Sequence, residues 1–231
     1  MKMKKMILFA AAILTLNMAA ADYATLMQEG AAAKKAGNKE LAVQKYAEAH
    51  KLAKGQKQEY DATLAYAAAL QSNKQKGKAR DVYEAELKKD IYTNSQRQSM
   101  LVKIAAMYLW DSKNYQYALD KINLALAIKG VRDDDILYFL MCNYAACIYM
   151  HFKKEYDPVI VLCEPAAAKS KIPWHKWTLY SQVSQAYEKL GKKTEALKNY
   201  KLALEFAKKA KKNVSAKNIE KLEKKIQELS K

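Results

Sequence analysis

The residues best suited to enzyme chemistry are too scattered in this chain to form a recognisable site. The three histidines, His50, His151 and His175, are scattered along the chain, and no Cys-x-x-Cys motif suggests a zinc site. Asp133, Asp134 and Asp135 directly precede a predicted helix, where acidic side chains cap the helix and complement its dipole. The sequence has no glycine-rich phosphate loop and no serine in a nucleophile elbow. It therefore predicts a protein that is not an enzyme and that has no cofactor and no metal site.

The elements that must carry any binding site are helical, and the clearest pair lies between Trp177 and Ala210. One helix face is formed by Tyr180, Val183, Ser184 and Tyr187. Gly191 ends this helix, because glycine adopts the left-handed backbone of a helix end without steric cost. Thr194 is predicted to cap the second helix, whose apolar stripe is Ala196, Tyr200, Ala203 and Leu204. Two short amphipathic helices so closely joined must form an antiparallel hairpin.

This hairpin recurs along the chain, and each copy keeps a small residue at one position of its first helix. The five small residues are Gly30, Ala67, Ala106, Cys147 and Ser184. Matching positions of the second helix carry Ala42, Ala79, Ala118, Val159 and Ala196, then Tyr46, Tyr83, Ile122, Cys163 and Tyr200. Small residues let two helix axes approach closely. The pattern resembles the tetratricopeptide repeat, a helix-turn-helix unit of about 34 residues, although these copies lie 37, 39, 41 and 37 residues apart.

The resemblance implies an all-α fold, a right-handed α-solenoid in which neighbouring hairpins stack to bury a continuous core. The solenoid is predicted to occupy 22–210, with five repeats at 23–56, 60–93, 99–132, 140–173 and 177–210. Residues 211–231 follow as a basic capping helix that begins after Ser215, and its polar outer face suits the end of a solenoid. Only Val159–Leu162 looks like a strand, and it falls inside a predicted second helix.

Residues 1–21 have the pattern of a secretory signal peptide. A basic start is followed by a short apolar run from Met6 to Met18 and by the small residues Ala19 to Ala21. A membrane span needs about 20 apolar residues, so no transmembrane span is predicted, and an uncleaved anchor is the alternative. Cleavage removes three lysines and no acidic residue, which lowers the formal net charge from +17 to +14. The sequence thus predicts a periplasmic or secreted protein.

All three cysteines, Cys142, Cys147 and Cys163, lie in the predicted fourth repeat. An oxidising compartment favours a disulfide among them. The predicted closest approach of this hairpin joins Cys147 and Val159. Cys163 then lies opposite Asn143 and therefore next to Cys142. A Cys142–Cys163 disulfide consequently fits slightly better than Cys147–Cys163, and three free, buried thiols are the open alternative.

The resemblance also implies a binding surface, because first helices of this family line a concave face that binds peptides or protein segments. In the third and fourth repeats this face carries methionines and aromatic residues, which adapt to an apolar ligand and contribute strongly at interface centres. The candidate contact residues are Met100, Lys103, Met107, Trp110, Met141, Tyr144, Ile148, His151 and Phe152. The alternative is that these side chains pack against neighbouring helices of the same chain. The lysine and asparagine positions that grip a C-terminal carboxylate in one family variant are not matched, so that chaperone-type function is not implied.

The C-terminal region is strongly basic. From Lys208 onward there are nine lysines and three acidic residues, a composition that suits contact with an anionic lipid or polymer. Nucleic acid is not a predicted partner, because the lysines are spread singly, arginine is scarce and export is expected. The sequence therefore predicts an adaptor of the bacterial cell envelope that binds a protein or peptide segment in its concave groove. The alternative is a basic module that binds an anionic envelope polymer or the membrane surface.

Overall fold

Every regular element that the structure describes is a helix. The computed structural model describes residues 22–130 and 135–231, and these ranges contain no strand. The prediction of an all-α fold is therefore confirmed. The predicted signal peptide at 1–21 and the acidic residues Asp133 and Asp134 lie outside the described residues. The chain divides into two units, Met1–Tyr92 and Thr93–Lys231.

The first unit, in its described part, consists of two helical hairpins. Helix α1 covers 22–35, and it is followed by α2 (Lys39–Ala53), α3 (Glu59–Ser72) and α4 (Lys76–Leu87). Connections of three residues, 36–38 and 73–75, join the two helices of each hairpin. Their tight reversal places Gly37 and Lys74 at positive φ angles of 78° and 58°. Such short connections between packed helices make each pair antiparallel.

The close approach of α1 and α2 depends on the absence of a side chain at Gly30. A Cβ atom at this position would lie only 2.8–2.9 Å from the ring of Tyr46. Tyr46 belongs to a buried apolar cluster with Ala33, Ala42 and Ala69. Gly30 therefore lies at a helix–helix contact, as its predicted position in the hairpin requires.

The second unit contains three hairpins and a terminal helix among its described residues. Its helices are α5 (Asn94–Tyr108), α6 (Tyr115–Ala127), α7 (Asp135–Ile148), α8 (Asp157–Lys169), α9 (Pro173–Lys189), α10 (Lys193–Lys209) and α11 (Ala216–Leu229). A π-helical turn, Tyr149–Lys153, extends α7. Each helix packs against the next, and α7 also packs against both α5 and α9. The hairpins of this unit therefore stack on one another, as the predicted solenoid requires.

In α5 and α7 the buried small residue is not the predicted one. Ala106 is exposed and Cys147 is half-buried, whereas the preceding residues Ala105 and Ala146 are fully buried. The cause lies in the connection that follows each helix. Six residues, 109–114, join α5 to α6, and the π-helical turn adds one residue to the end of α7. Hairpins with three-residue connections keep the predicted small residues buried, namely Gly30, Ala67 and Ser184.

Helix ends in the second unit follow local chemistry with one difference from expectation. Gly191, the second residue after α9, has a φ of +73°, and the Ser215 side chain accepts a backbone hydrogen bond at the start of α11. Thr194 does not cap α10, because the helix already begins at Lys193, and its N-cap residue Lys192 makes no side-chain capping bond. Within the described ranges, no helix has the length and apolar character needed to cross a membrane.

Candidate functional site

Three of the predicted contact residues lie in the protein core. Met100, Met141 and Ile148 are 0% exposed, so they offer no surface to a partner. Helices α5 and α7 pack against each other, and apolar residues of both helices are buried in the fold. The prediction is therefore wrong for these three residues. A helix face that meets the next hairpin and one that meets a partner have the same apolar spacing.

Three further predicted contact residues, Lys103, Met107 and Tyr144, are half-buried. Burial raises the pKa of the Tyr144 phenol above its ordinary value, so this side chain remains a neutral hydrogen-bonding group at physiological pH. Each of the three keeps part of its surface accessible. Their contact with a partner stays a prediction.

The remaining predicted residues meet at the surface in an aromatic cluster formed by Trp110, Tyr115, His151 and Phe152. The Trp110 side chain is 63% exposed, and its ring lies 5.3 Å from the His151 ring and 6.5 Å from the Phe152 ring, measured between centroids. Phe152 stacks in parallel on Tyr115, with 5.0 Å between ring centroids. Three members were predicted from the sequence and are brought together by the fold. Tyr115 was missed, because it lies at the start of a second helix.

Two irregular segments position the aromatic cluster. Trp110 lies in the long connection from α5 to α6, where the Asp111 carboxylate accepts hydrogen bonds from the Lys113 backbone N–H and the Asn114 side-chain amide, both 3.0 Å long. His151 and Phe152 lie in the π-helical turn at the end of α7. The connection 109–114 and the π-helical turn, which shift the packing of α5 and α7, thus also place the aromatic side chains at one end of these hairpins. Single π-helical turns are frequent at functional sites.

The aromatic cluster suits recognition of an apolar or aromatic side chain. Tryptophan, tyrosine and phenylalanine combine a large contact area with few rotatable bonds, and tryptophan and tyrosine are enriched among residues that dominate binding energy. A tryptophan with most of its surface in water contributes little to the stability of the fold, because it buries little apolar area. The cluster is therefore the candidate functional site that the geometry of the second unit supports best.

The three cysteines are close together and are thiols in this structure. The Cys163 sulfur lies 3.6 Å from the Cys142 carbonyl oxygen, and the Gln182 amide nitrogen lies 3.6 Å from the Cys147 sulfur. Burial raises the pKa of Cys147 to about 11 and that of Cys163 well above its ordinary value. Neutral, buried thiols react slowly, because the thiolate is the nucleophile. The Cys142–Cys163 disulfide stays a prediction.

Serine, histidine and aspartate meet at one place, but not as a catalytic triad. The Ser170 hydroxyl donates to Asp135 Oδ2 (3.1 Å) and lies 3.4 Å from His175 Nδ1, while Asp135 Oδ1 lies 3.6 Å from the same nitrogen. In a triad the serine and the aspartate contact opposite nitrogens of the imidazole. The Lys171 backbone N–H also donates to Asp135 Oδ2 (3.0 Å). This arrangement joins the connection between α8 and α9 to the start of α7, so its role is structural.

The basic C-terminal region is partly neutralised by ion pairs. Lys208 pairs with Glu223 (2.7 Å), and Lys225 of α11 pairs with Glu188 of α9 (2.6 Å). Beside this second pair, α9, α10 and α11 form a groove of about 310 Å³, lined in part by Trp177, Tyr200 and Leu222. The exposed lysines of residues 211–231 are Lys211, Lys212, Lys217, Lys221, Lys224 and Lys231. These six side chains offer positive charge to an anionic partner.

A buried group of polar and charged side chains in the first unit was not predicted from the sequence. His50, Glu59, Glu86 and Lys89 come from three different helices and from the residues after α4, and they meet in the interior of this unit. Their spacing along the chain matches no metal or catalytic motif. Glutamates of amphipathic helices are usually exposed, so their burial becomes visible only in the folded unit.

Antiparallel helical hairpins that recur in both units, with small residues at their contacts, define the fold class as an all-α repeat of hairpins. Protein-family models give no match to this chain, and no curated protein matches it. Among solved structures, it is similar to the crystal structure, at 2.39 Å resolution, of a tetratricopeptide repeat protein from Parabacteroides merdae ATCC 43184. The two are 13% identical, with 91% of this chain and 99% of the other covered, and the TM-score is 0.41. The class therefore rests on the helices and contacts of this chain itself.

Proposed function

We propose that this protein is an exported, non-enzymatic scaffold that binds a protein segment at the aromatic cluster. The observation that carries the proposal is the 63% exposure of Trp110 within a group of aromatic rings. Repeat scaffolds of stacked helical hairpins present extended surfaces on which partners bind. The pattern of residues 1–21 supports export, and a bacterial envelope location is part of the proposal.

A second candidate function is binding of an anionic envelope polymer or membrane surface through the C-terminal lysines. The six exposed lysines of residues 211–231 are the observation that favours it. The two functions differ in their response to salt. Attraction between exposed charges is screened over about 8 Å at physiological ionic strength, whereas contact between apolar surfaces is nearly independent of salt.

The double variant Trp110→Ala/Phe152→Ala tests the first function. We expect it to abolish capture of the protein partner from native envelope extract at both low and high salt. The helical circular-dichroism signal and the melting temperature should remain near those of the wild type, because Trp110 is largely exposed and the half-buried Phe152 stacks on Tyr115 outside the protein core.

Val161→Ala is the matched control, since Val161 of α8 is an apolar residue that is 72% exposed and lies outside the aromatic cluster. It should retain the partner. Capture that survives in the double variant would contradict the proposal. Loss of bound anionic material on raising the salt, with no protein retained, would instead favour the C-terminal lysines.

A further inference from the structure

The first unit buries two carboxylates side by side. Glu59 at the start of α3 is 2% exposed, and Glu86 near the end of α4 is 3% exposed. Their Oε2 atoms accept hydrogen bonds from the Gly55 backbone N–H (2.7 Å) and from the Tyr92 hydroxyl, respectively. The Lys89 ammonium bonds Oε1 of both carboxylates. One cation thus serves two buried anions.

His50 of α2 completes this group. Its Nε2 atom is buried and makes no hydrogen bond, although it lies 3.3 Å from Glu86 Oε1. A buried polar atom without a partner is costly and rare in folded proteins. One ligating atom from each of His50, Glu59 and Glu86 lies within 4.8 Å of the other two.

The protein balances the charge of the group only if the His50 imidazole is protonated. Two carboxylates and one ammonium leave one negative charge in a buried place when the imidazole is neutral, and an uncompensated buried charge destabilises the folded state. A divalent cation in the position of the Lys89 ammonium would bring the sum of the two carboxylates and the ion to zero. It would also give the imidazole nitrogen of His50 its missing partner.

We propose that His50, Glu59 and Glu86 form a binding site for a divalent transition-metal ion of the zinc class. Imidazole nitrogen together with carboxylate oxygen favours such an ion over Mg²⁺ or Ca²⁺, which prefer oxygen ligands alone. Zinc binds these atoms at about 2.0–2.2 Å, so the three ligands need only small side-chain movements toward a common centre. The Gly55 N–H and the Tyr92 hydroxyl hold the other carboxylate oxygens and so orient both ligands.

Entry of the ion requires the Lys89 ammonium to leave. The Lys89 side chain is 30% exposed and that of His50 is 22% exposed, so the group reaches solvent on the side of these two residues. A lysine stem is flexible enough to move its ammonium into water. Lys89 and the metal ion therefore compete for the same carboxylate oxygens. The site belongs to the first unit and does not depend on the proposed function of the aromatic cluster.

Calorimetric titration of the chelator-treated, untagged full chain with Zn²⁺ tests the proposal. We expect one equivalent to bind. His50→Gln should weaken binding at least about ten-fold, because it removes the nitrogen ligand. Lys89→Gln should tighten binding about ten-fold, because it removes the competing cation. Circular dichroism establishes that each variant is folded.

His151→Gln is the matched control, because His151 is an exposed histidine of the second unit. It should bind zinc as tightly as the wild type. Two results would overturn the proposal: the absence of binding at one equivalent, or equal affinities of His50→Gln and His151→Gln. Weaker binding in a folded Lys89→Gln variant would also contradict competition for the carboxylates.

Discussion

Asp135 shows how one carboxylate organises a connection between helices. It accepts hydrogen bonds from the Ser170 hydroxyl and the Lys171 backbone N–H and faces the imidazole of His175. Burial alone would raise the pKa of Asp135, but the bonds from Ser170 and Lys171, with a smaller contribution from His175, hold it below its ordinary value. A lowered pKa in the folded state means that the ionised carboxylate stabilises the fold above its unfolded pKa. That stabilisation is lost as the pH falls through the folded pKa.

Asp135→Asn should therefore destabilise the protein at neutral pH and have little effect in acid. We expect the melting temperature at pH 7 to fall by about 2–4 °C, which corresponds to about 1 kcal/mol for a chain of this size. The difference from the wild type should begin to narrow below about pH 4, where Asp135 of the unfolded chain takes up a proton, and should disappear once the pH falls below the lowered pKa of the folded state. Thermal melts by circular dichroism across this range measure it. A difference that stays constant from pH 7 to pH 3 would show that the charge of Asp135 contributes nothing.

At the scale of elements, two glycines in helices of the first unit differ in how closely other atoms surround them. Gly30 of α1 lies against the Tyr46 ring, so an added methyl group has no space there. Gly77 of α4 has no atom within 4 Å of an added Cβ, and its backbone is helical. The two positions separate the effect of packing from the effect of helix propensity.

Gly30→Ala and Gly77→Ala should change stability in opposite directions. The first should lower the free energy of unfolding by about 1–3 kcal/mol through overpacking against Tyr46. The second should raise it by up to about 1 kcal/mol, because alanine restricts the unfolded chain and favours helix. Chemical denaturation monitored by circular dichroism measures both values. An unchanged or higher stability of Gly30→Ala would contradict the close approach of α1 and α2.

The helical hairpins could be predicted from the sequence, whereas the exact faces that they bury could not. A small residue paired with alanine and tyrosine of the next helix indicates a hairpin wherever the connection has its usual length, as with Ser184 and Ala196. The periodicity of apolar residues in the helices does not indicate how many residues the connection between them will contain. The π-helical turn after α7 therefore moved Ala146 into the position predicted for Cys147. Capping is similarly local, and Ser215 was predicted correctly while Thr194 was not.

The candidate site was predictable only in part for the same reason. Trp110, His151 and Phe152 were selected as members of a helix face, yet they meet because two irregular segments end their helices. Met100 and Met141 shared the selected face and are core residues, since stacking of hairpins needs apolar residues as much as a partner does. The buried group around Glu59 and Glu86 could not be predicted, because residues distant in sequence meet there without a recognisable spacing.

At the scale of the whole molecule, the two candidate binding surfaces, the C-terminal lysines and the aromatic cluster, differ in their chemistry. The formal net charge of +17 resides mainly in lysines, and the exposed lysines of 211–231 are well suited to long-range attraction of anions. The aromatic cluster offers a short-range apolar contact of defined geometry. Charge attraction speeds encounter, and apolar contact at a well-packed centre supplies specificity and slow dissociation. The proposed binding of a protein partner at the aromatic cluster therefore predicts a specific contact at Trp110 that does not depend on salt.

Site-specific photo-crosslinking in cells tests whether a protein partner contacts Trp110. A photoreactive phenylalanine analogue would replace Trp110 in one variant and the exposed Val161 in another. We expect a discrete protein adduct from position 110 and none from position 161, and that adduct should form equally well when the surrounding salt is raised. Equal adducts from both positions, or none from position 110, would contradict binding at the aromatic cluster and would favour the C-terminal lysines as the binding surface.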